Sequence, residues 1–139
     1  MVDTNILLRS IQPLHPFYER ATSAVEKLLN EGETVHFCAQ NVRELWNVCT
    51  RPIVNNGLGM SPAEVVREVT ELESMLTFLP ESAATYFEWR RLVETHGVIG
   101  TQVHDTNLIA AMRVAGISQL LTLNPAHFRR FTEITVLEP

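Results

Sequence analysis

The chain is 139 residues long, 45% hydrophobic and 19% charged, with a formal net charge of -5 and a mean hydropathy near zero. This length and composition are typical of one globular domain, and we expect residues 1–139 to form a single domain. No apolar run approaches the roughly 18 residues that span a bilayer. Because no basic region followed by an apolar one marks a signal peptide, we expect a cytoplasmic protein.

The cysteines and the basic residues say little about function by themselves. Cys38 and Cys49 lie among apolar residues without metal-ligand spacing, so they are predicted to be reduced core thiols. An acidic chain is unfavourable for binding nucleic acid, but all basic residues except Lys27 are arginine, which suits bidentate phosphate contact. An arginine-rich genomic composition explains the same bias. The charge therefore neither supports nor excludes a nucleic-acid substrate.

Short apolar strands alternate with longer amphipathic helices along the chain. Met1 and Val2 form the stub of a first strand that runs into Asp3, and this strand is short enough to suggest a truncated start. Helices are predicted over residues 15–30, 41–50, 62–75, 82–95 and 103–115, and strands over residues 35–38, 78–79, 120–123 and 134–137. This order predicts an α/β fold with a central, mostly parallel sheet flanked by helices.

Local signals mark several helix ends. Asn41 is a candidate N-cap for the second helix. Ser61, Pro62 and Glu64 combine an N-cap serine, a proline at the first helical position and a capping-box glutamate. Gly97 follows the helix that Ser82 opens. These boundaries place the loops that follow the strands, and in a parallel sheet the functional crevice lies at the carboxyl ends of the strands.

Three acidic residues are candidates for the functional site. Asp3 directly follows the first strand, although aspartate at this position also suits a helix N-cap. Asp105 shares a helical stripe with apolar residues such as Ile109, where a carboxylate is costly unless it is paired or binds metal. Its place in the first helical turn, where the helix dipole favours a carboxylate, is the alternative explanation. Glu44 points away from the apolar stripe of its helix, as a solvated surface glutamate also would.

The chemistry of these side chains favours a hard divalent cation. Carboxylate oxygens suit Mg²⁺ or Mn²⁺, and the five histidines show no zinc-site spacing. The sequence has no G-x-S-x-G elbow of a serine hydrolase and no glycine-rich phosphate loop. A metal site built from carboxylates is therefore the best-supported centre.

Four segments, in order along the whole chain, carry a resemblance to a known family: VDTNIL at residues 2–7, QNVRELW at residues 40–46, HDTNLIAA at residues 104–111 and LTLNPAHF at residues 121–128. They resemble the motifs of PIN domains, including the VapC-like toxin ribonucleases of type II toxin–antitoxin systems. The resemblance implies a three-layer fold and a metal-dependent endoribonuclease that hydrolyses RNA phosphodiester bonds.

The resemblance also implies roles for individual residues. Asp3 and Asp105 would hold Mg²⁺ or Mn²⁺, with Glu44 ligating the ion directly or through water. Thr4 and Asn5 would support the metal ligands or orient water. All five residues lie in the motifs quoted above, so each proposed role belongs to a position that resembles the family's motif.

The closing motif contains one departure from the family. Its members commonly have an acidic residue before the phenylalanine of this motif, and His127 stands there instead. A fourth carboxylate is thus absent, although Asn124 could bind a metal-coordinated water. Arg129 and Arg130 follow the motif and are candidates for contact with the RNA backbone, and a solvated turn is the alternative.

Partners are also implied by the resemblance. A toxin of this kind would have a cognate antitoxin, and we expect a homodimer. The apolar residues that motivate the dimer lie on two consecutive predicted helices: Val65, Val66, Leu72, Met75, Phe87 and Trp89.

Two other functions fit parts of the pattern. A non-catalytic PIN-like module that binds RNA or protein would explain His127 as a mark of a degenerate site. A phosphatase of the haloacid-dehalogenase type also begins with an aspartate after the first strand. Such enzymes need a second aspartate where this chain has Asn5, and they need a downstream lysine, whereas Lys27 lies too early.

Overall fold

The computed structural model describes residues 1–139, and helices occupy most of the chain. The helices are α1 (Thr4–Ser10), α2 (Tyr18–Asn30), α3 (Ala39–Thr50), α4 (Pro62–Met75), α5 (Ala83–His96) and α6 (Gln102–Val114). The strands are β1 (His36–Cys38), β2 (Thr77–Leu79), β3 (Gln119–Leu121) and β4 (Thr135–Leu137). Two 3-10 turns, Ile53–Asn55 and Pro125–Phe128, lie in the connections. None of the helices is both long and apolar enough to cross a membrane.

The first three residues join two strand pairs into one parallel sheet. Strand β1 pairs with β2, and β3 pairs with β4, both in parallel. The N–H of Val2 donates to the carbonyl of His36 at 3.0 Å, and the N–H of Asp3 donates to the carbonyl of Leu121 at 2.9 Å. A parallel bridge also links Val2 to Leu121. The predicted strand stub is therefore the centre of the sheet, in the order β2-β1-(1–3)-β3-β4.

Alternate residues of the sheet face two separate apolar layers. Val2 and Phe37 belong to a buried cluster with residues of α1 to α4, whereas Met1 and Cys38 belong to a second cluster with residues of α5 and α6. This alternation follows from the two-residue period of a strand. The result is a sheet between two helical layers, which confirms the predicted three-layer α/β fold.

The capping signals at α4 and α5 are confirmed. The N–H of Glu64 donates to Oγ of Ser61 at 3.3 Å, and the N–H of Ser61 donates to Oε2 of Glu64 at 2.7 Å. Gly97 ends α5 with a φ of 57°, the left-handed conformation that glycine adopts without strain. Cys38 and Cys49 are free and buried, as predicted. The contacts that cap these helices lie within one helical turn, so the local sequence predicts them.

Helix α1 (Thr4–Ser10) was not predicted, and two other helices start two or three residues away from their predicted positions. Helix α3 begins at Ala39, so Asn41 is not its N-cap; its Oδ1 accepts from the N–H of Cys38 at 2.8 Å from inside the first turn. Helix α2 begins at Tyr18, three residues after the predicted start at residue 15. The intervening segment forms a turn in which the N–H of Phe17 donates to Nδ1 of His15 at 3.1 Å.

The six apolar residues assigned to a dimer surface differ in exposure, and Trp89 is half-buried. Val65 and Leu72 are buried in the core, so the structure removes them from that surface. Val66, Met75 and Phe87 are exposed, with 50%, 49% and 67% of their surface accessible. The exposed apolar area on α4 and α5 is therefore smaller than the sequence predicted.

Candidate active site

A cleft of about 880 Å³ lies at the carboxyl edge of the sheet. It contains Asp3, which ends the central strand, and Gln40 and Asn124, which follow β1 and β3. The carboxyl ends of parallel strands meet at one edge, so the topology brings these loops together. Asp3, Glu44, Asp105 and His127 all line this cleft.

Asp3 occupies the N-cap position of α1 but does not cap the helix with its side chain. Its Oδ2 accepts from Nδ2 of Asn5 at 2.7 Å and from Oγ1 of Thr122 at 2.6 Å. Burial raises the pKa of Asp3, Thr122 opposes that rise, and the nearby Asp105 carboxylate adds to it. The carboxyl group is thus held by side chains beside the cleft, and the cap explanation does not account for it.

The loop after β3 is fixed to the start of α1 by the same network. Oγ1 of Thr122 accepts from Nδ2 of Asn5 and from the N–H of Asn124, both at 3.0 Å. Oδ1 of Asn5 accepts from the N–H of Leu123 at 3.1 Å. Asn5 therefore supports Asp3 directly. Asn124 lines the cleft with an exposed side chain.

Glu44 lies on the polar side of α3, half-buried against the cleft. Its Oε2 accepts from Oγ1 of Thr4 at 2.6 Å, and its Oε1 accepts from Nε2 of Gln40 at 2.8 Å. Gln40 also contacts α6, because its Nε2 donates to the carbonyl of His104 and its Oε1 accepts from Asn107, both at 2.9 Å. A freely solvated surface glutamate would have no such partners.

Asp105 lies in the first turn of α6, above the buried Ile109 on the same face. Its Oδ2 is 3.2 Å from Nδ1 of His127. Burial raises the pKa of Asp105, His127 opposes that rise, and the charge of Glu44 adds to it. Asp105 therefore has both the first-turn position and the place above an apolar stripe that the sequence predicted, and its carboxyl group is paired with His127.

The donor chemistry of the cleft fits a hard divalent cation. Its carboxylate, amide and hydroxyl oxygens are the ligands that Mg²⁺ and Mn²⁺ prefer. The two side-chain hydrogen bonds to Asp3 both fall on Oδ2. As the side chains stand, no three acidic, histidine or cysteine residues are close enough to share one ion. Shared coordination would therefore require side-chain rotation.

Arg129 and Arg130 do not line the cleft. Arg129 is exposed, and Nη2 of Arg130 donates to Oε1 of Gln102 at 2.6 Å. The arginines that line the cleft are Arg43 of α3 and Arg51, the C-cap residue of that helix, and neither was predicted from the sequence. Contact of Arg129 or Arg130 with RNA stays a prediction.

Several polar residues of the network were missed, although one carried a readable signal. Gln40 lies one helical turn before Glu44, and this spacing alone places both on one helix face. Thr122 and Asn107 lie in motifs quoted above, but their contacts cross the fold and have no local signature. Tertiary structure alone brings them to Asp3 and Gln40.

The chain belongs to the PIN domain family, whose family model matches residues 1–134. This match confirms the resemblance on the four motifs. Among proteins of curated function, none matches the sequence significantly.

Solved structures of the same fold agree with this assignment. VapBC2 from Rickettsia felis, bound to a DNA fragment from its promoter, is similar with a TM-score of 0.70 and 20% identity, over 99% of this chain and 96% of that one. VapBC-1 from nontypeable Haemophilus influenzae is similar with a TM-score of 0.68 and 14% identity, again over 99% and 96%. At these identities the likeness shows the fold, and it extends over nearly the whole of both chains.

Proposed function

We propose that this chain is a metal-dependent endoribonuclease that hydrolyses RNA phosphodiester bonds. PIN domains are generally nucleases that use divalent metal ions. One observation carries the proposal: Asp3, Glu44 and Asp105, from three separate elements, line a single cleft. Half-buried carboxylates grouped in this way repel one another, and a cation relieves that repulsion.

In this proposal the residues of the cleft have distinct roles. Asp3 and Asp105 hold Mg²⁺ or Mn²⁺, and Glu44 contributes directly or through water. A bound ion of this kind supplies a water of lowered pKa and neutralises charge on the phosphoryl oxygens. Thr4 holds Glu44 by donating to Oε2 at 2.6 Å, and Asn5 holds Asp3 by donating to Oδ2 at 2.7 Å.

Cleavage of single-stranded RNA with and without Mn²⁺ or Mg²⁺ tests the proposal. We expect cleavage only with metal, and we expect Asp3→Asn, Glu44→Gln and Asp105→Asn each to reduce it by roughly a hundredfold or more. Glu73→Gln is a matched control, because Glu73 is an exposed residue of α4 outside the cleft. Metal-independent cleavage, or full activity in the Asp3 and Asp105 variants, would contradict the assignment.

The same proposal assigns the chain to a toxin–antitoxin pair acting in the cytoplasm. The motif resemblance to VapC-like toxins supports it, as does the likeness in fold to two VapBC structures. A cognate antitoxin would then be encoded beside this gene. Expression of the chain alone should arrest growth, and co-expression with the neighbouring gene should restore growth. Cells that express the Asp3→Asn variant should grow without the neighbouring gene.

We also propose that the chain forms a homodimer through α4 and α5. Val66, Met75 and Phe87 are exposed there, together with Phe78 of β2 and Tyr86. Exposed apolar patches of this kind mark interfaces. Light scattering should report a dimer that Phe87→Ser weakens, and a monomer at high micromolar concentration would count against it.

A non-catalytic RNA- or protein-binding module is the alternative. It is favoured by His127 at the acidic position and by the lack of three potential metal ligands close enough to share an ion. The cleavage assay separates the two functions, because the module would bind RNA without cutting it at any metal concentration.

A further inference from the structure

Helix α3 presents a continuous polar face to the cleft. The residues of this helix that line the cleft are separated alternately by three positions and by one position along the sequence. They are Gln40, Arg43, Glu44, Asn47, Val48 and the C-cap residue Arg51. Residues three and four apart lie on one side of a helix, so this face extends along all of α3. Only Gln40 and Glu44 take part in the carboxylate network. The remainder of the face has no role in the metal site.

Arg51 is a cation without a partner. Its guanidinium makes no hydrogen bond or ion pair with the chain, although the residue is half-buried and lines the cleft. Arg91 and Arg113 differ, because each pairs with Glu88 at 2.8 Å. A half-buried guanidinium is desolvated in part, and this cost is recovered when an anion binds it.

Arg43 is held by a weak contact that an anion could replace. Its Nη2 is 3.5 Å from Oε2 of Glu81, and its side chain is 66% exposed. Such exposed ion pairs contribute little to the stability of the fold, since water and salt screen the two charges. Glu81 keeps a second partner if Arg43 leaves, because its Oε1 accepts from Nδ2 of Asn107 at 2.9 Å.

We infer that Arg43 and Arg51 bind the phosphates of single-stranded RNA that lies along the polar face of α3. This inference rests on the proposed function, which places the reacting phosphodiester beside Glu44, between the two arginines in sequence. Their positions, eight residues apart, are separated by about 12 Å along a helix axis, so they contact different phosphates. The carboxylates of the cleft would otherwise repel the RNA backbone, and arginine suits phosphate because it donates two parallel hydrogen bonds.

Fluorescence anisotropy of the full chain with a labelled 12-nucleotide single-stranded RNA tests this inference. The titrations are made in EDTA, so cleavage does not interfere, and are repeated over a range of salt concentrations. We expect Arg51→Gln and Arg43→Gln each to weaken binding roughly three- to tenfold at low salt and to reduce the salt slope by about one. Arg51→Lys keeps the charge and should recover part of the affinity.

Two controls make the result specific. Arg67→Gln removes an exposed arginine of α4 outside the cleft and should leave the affinity unchanged. Arg129→Gln tests the rival surface near the closing motif. Circular dichroism on each variant checks that the fold is intact, and no chain contact of the Arg51 guanidinium is lost in its variants.

The outcomes separate this inference from the proposed function. RNA binding that depends on Arg43 and Arg51 supports the inference, even if no metal condition gives cleavage. Metal-dependent cleavage with unchanged affinity and salt slope in both variants overturns it and leaves the nuclease proposal standing. Loss of affinity in Arg129→Gln alone also overturns it, as does arginine-dependent binding of an acidic peptide without binding of RNA.

Discussion

Nδ1 of His127 lies 3.2 Å from Oδ2 of Asp105. His127 belongs to the 3-10 turn after β3, and Asp105 lies in the first turn of α6, so the fold brings them together from separate elements. The position of His127 is acidic in the family that the closing motif resembles. A nitrogen donor therefore stands beside the candidate metal ligands where an oxygen donor is usual.

The nature of this donor predicts the metal preference. The affinity of a site for Mg²⁺ depends on oxygen ligands and their charge, whereas an imidazole ligand binds Mn²⁺ better than it binds Mg²⁺. We expect the chain to bind Mn²⁺ more tightly and to be more active with it. His127→Asp adds a carboxylate and should raise the affinity for Mg²⁺ by about tenfold. Calorimetric titration of both ions into both proteins measures this effect without relying on activity.

A charge-matched control completes the metal experiment. His15→Asp changes the charge of the chain in the same way, on a loop outside the cleft. It should leave both metal affinities unchanged. Equal Mg²⁺ titrations of the wild type and His127→Asp would show that His127 does not contribute to the metal site.

The Thr122 hydroxyl makes a second testable contact. It is fully buried, donates to Asp3 at 2.6 Å and accepts from Asn5 and from the N–H of Asn124. Thr122→Val keeps the shape but leaves these groups unsatisfied, so we expect a loss of roughly 1–2 kcal/mol in the free energy of unfolding. The pKa of Asp3 should rise further without this donor, which weakens metal binding.

Urea unfolding and metal titration measure both effects of Thr122→Val. Thr135→Val in β4 is the matched control, because Thr135 is exposed and its side chain makes no hydrogen bond. A stability within about 0.5 kcal/mol of wild type would show that the hydroxyl network is not a structural support.

Asn41 links the central strand to two helices. It is fully buried, and its Oδ1 accepts from the N–H of Cys38. Its Nδ2 donates to the carbonyl of Val2 at 3.3 Å and to Oγ1 of Thr4 at 3.1 Å. Asn41→Ala should lower the free energy of unfolding by roughly 2–3 kcal/mol, since it leaves buried groups unpaired. Asn47→Ala, on an exposed position of α3, should cost less than about 0.5 kcal/mol. Similar losses in both variants would contradict the role of the buried amide.

The position of Asn41 in α3 is a feature of the fold that the local sequence does not predict. The capping box of Ser61 and Glu64 was predicted because all its contacts lie within one helical turn. Asn41 was assigned to the N-cap by its residue type, but β1 runs directly into α3, and Cys38 takes the cap position instead. The choice depends on how the strand enters the helix, which local preference does not specify.

The candidate site also combines residues that the sequence indicates with contacts that only the tertiary structure creates. Asp3 could be selected because the first strand ends there, and Asp105 because a charge on an apolar stripe is unusual. The contact between His127 and Asp105 joins residues 22 positions apart, and that between Thr122 and Asp3 joins residues 119 apart. No periodicity or spacing encodes such pairs. The same is true of Arg43 and Arg51, because their helix face becomes a wall of the cleft only where the fold sets α3 beside α1 and across from α6.

The raised pKa of Asp105 predicts how the metal-free protein responds to pH. Burial raises this pKa, so the folded chain keeps the proton at a pH where the unfolded chain has lost it. The protonated carboxyl therefore favours the folded state fully below the unfolded value of about 3.9, and the benefit is lost as the pH rises through the folded value. Asp105→Asn cannot ionise and should be more stable than the metal-free wild type at neutral pH, by roughly 0.5–1 kcal/mol.

Urea unfolding of the wild type and Asp105→Asn in EDTA, from pH 4 to pH 8, measures the difference, because titrating groups that do not interact with Asp105 contribute equally to both proteins. We expect the two stabilities to converge at the acidic end and to separate as the pH rises. Addition of Mn²⁺ at neutral pH should reverse the order, since the ion binds the ionised carboxylate of the folded wild type and stabilises it by mass action. A wild type that stays more stable than Asp105→Asn in EDTA at neutral pH would mean that the contact with His127 outweighs the cost of burying the charge.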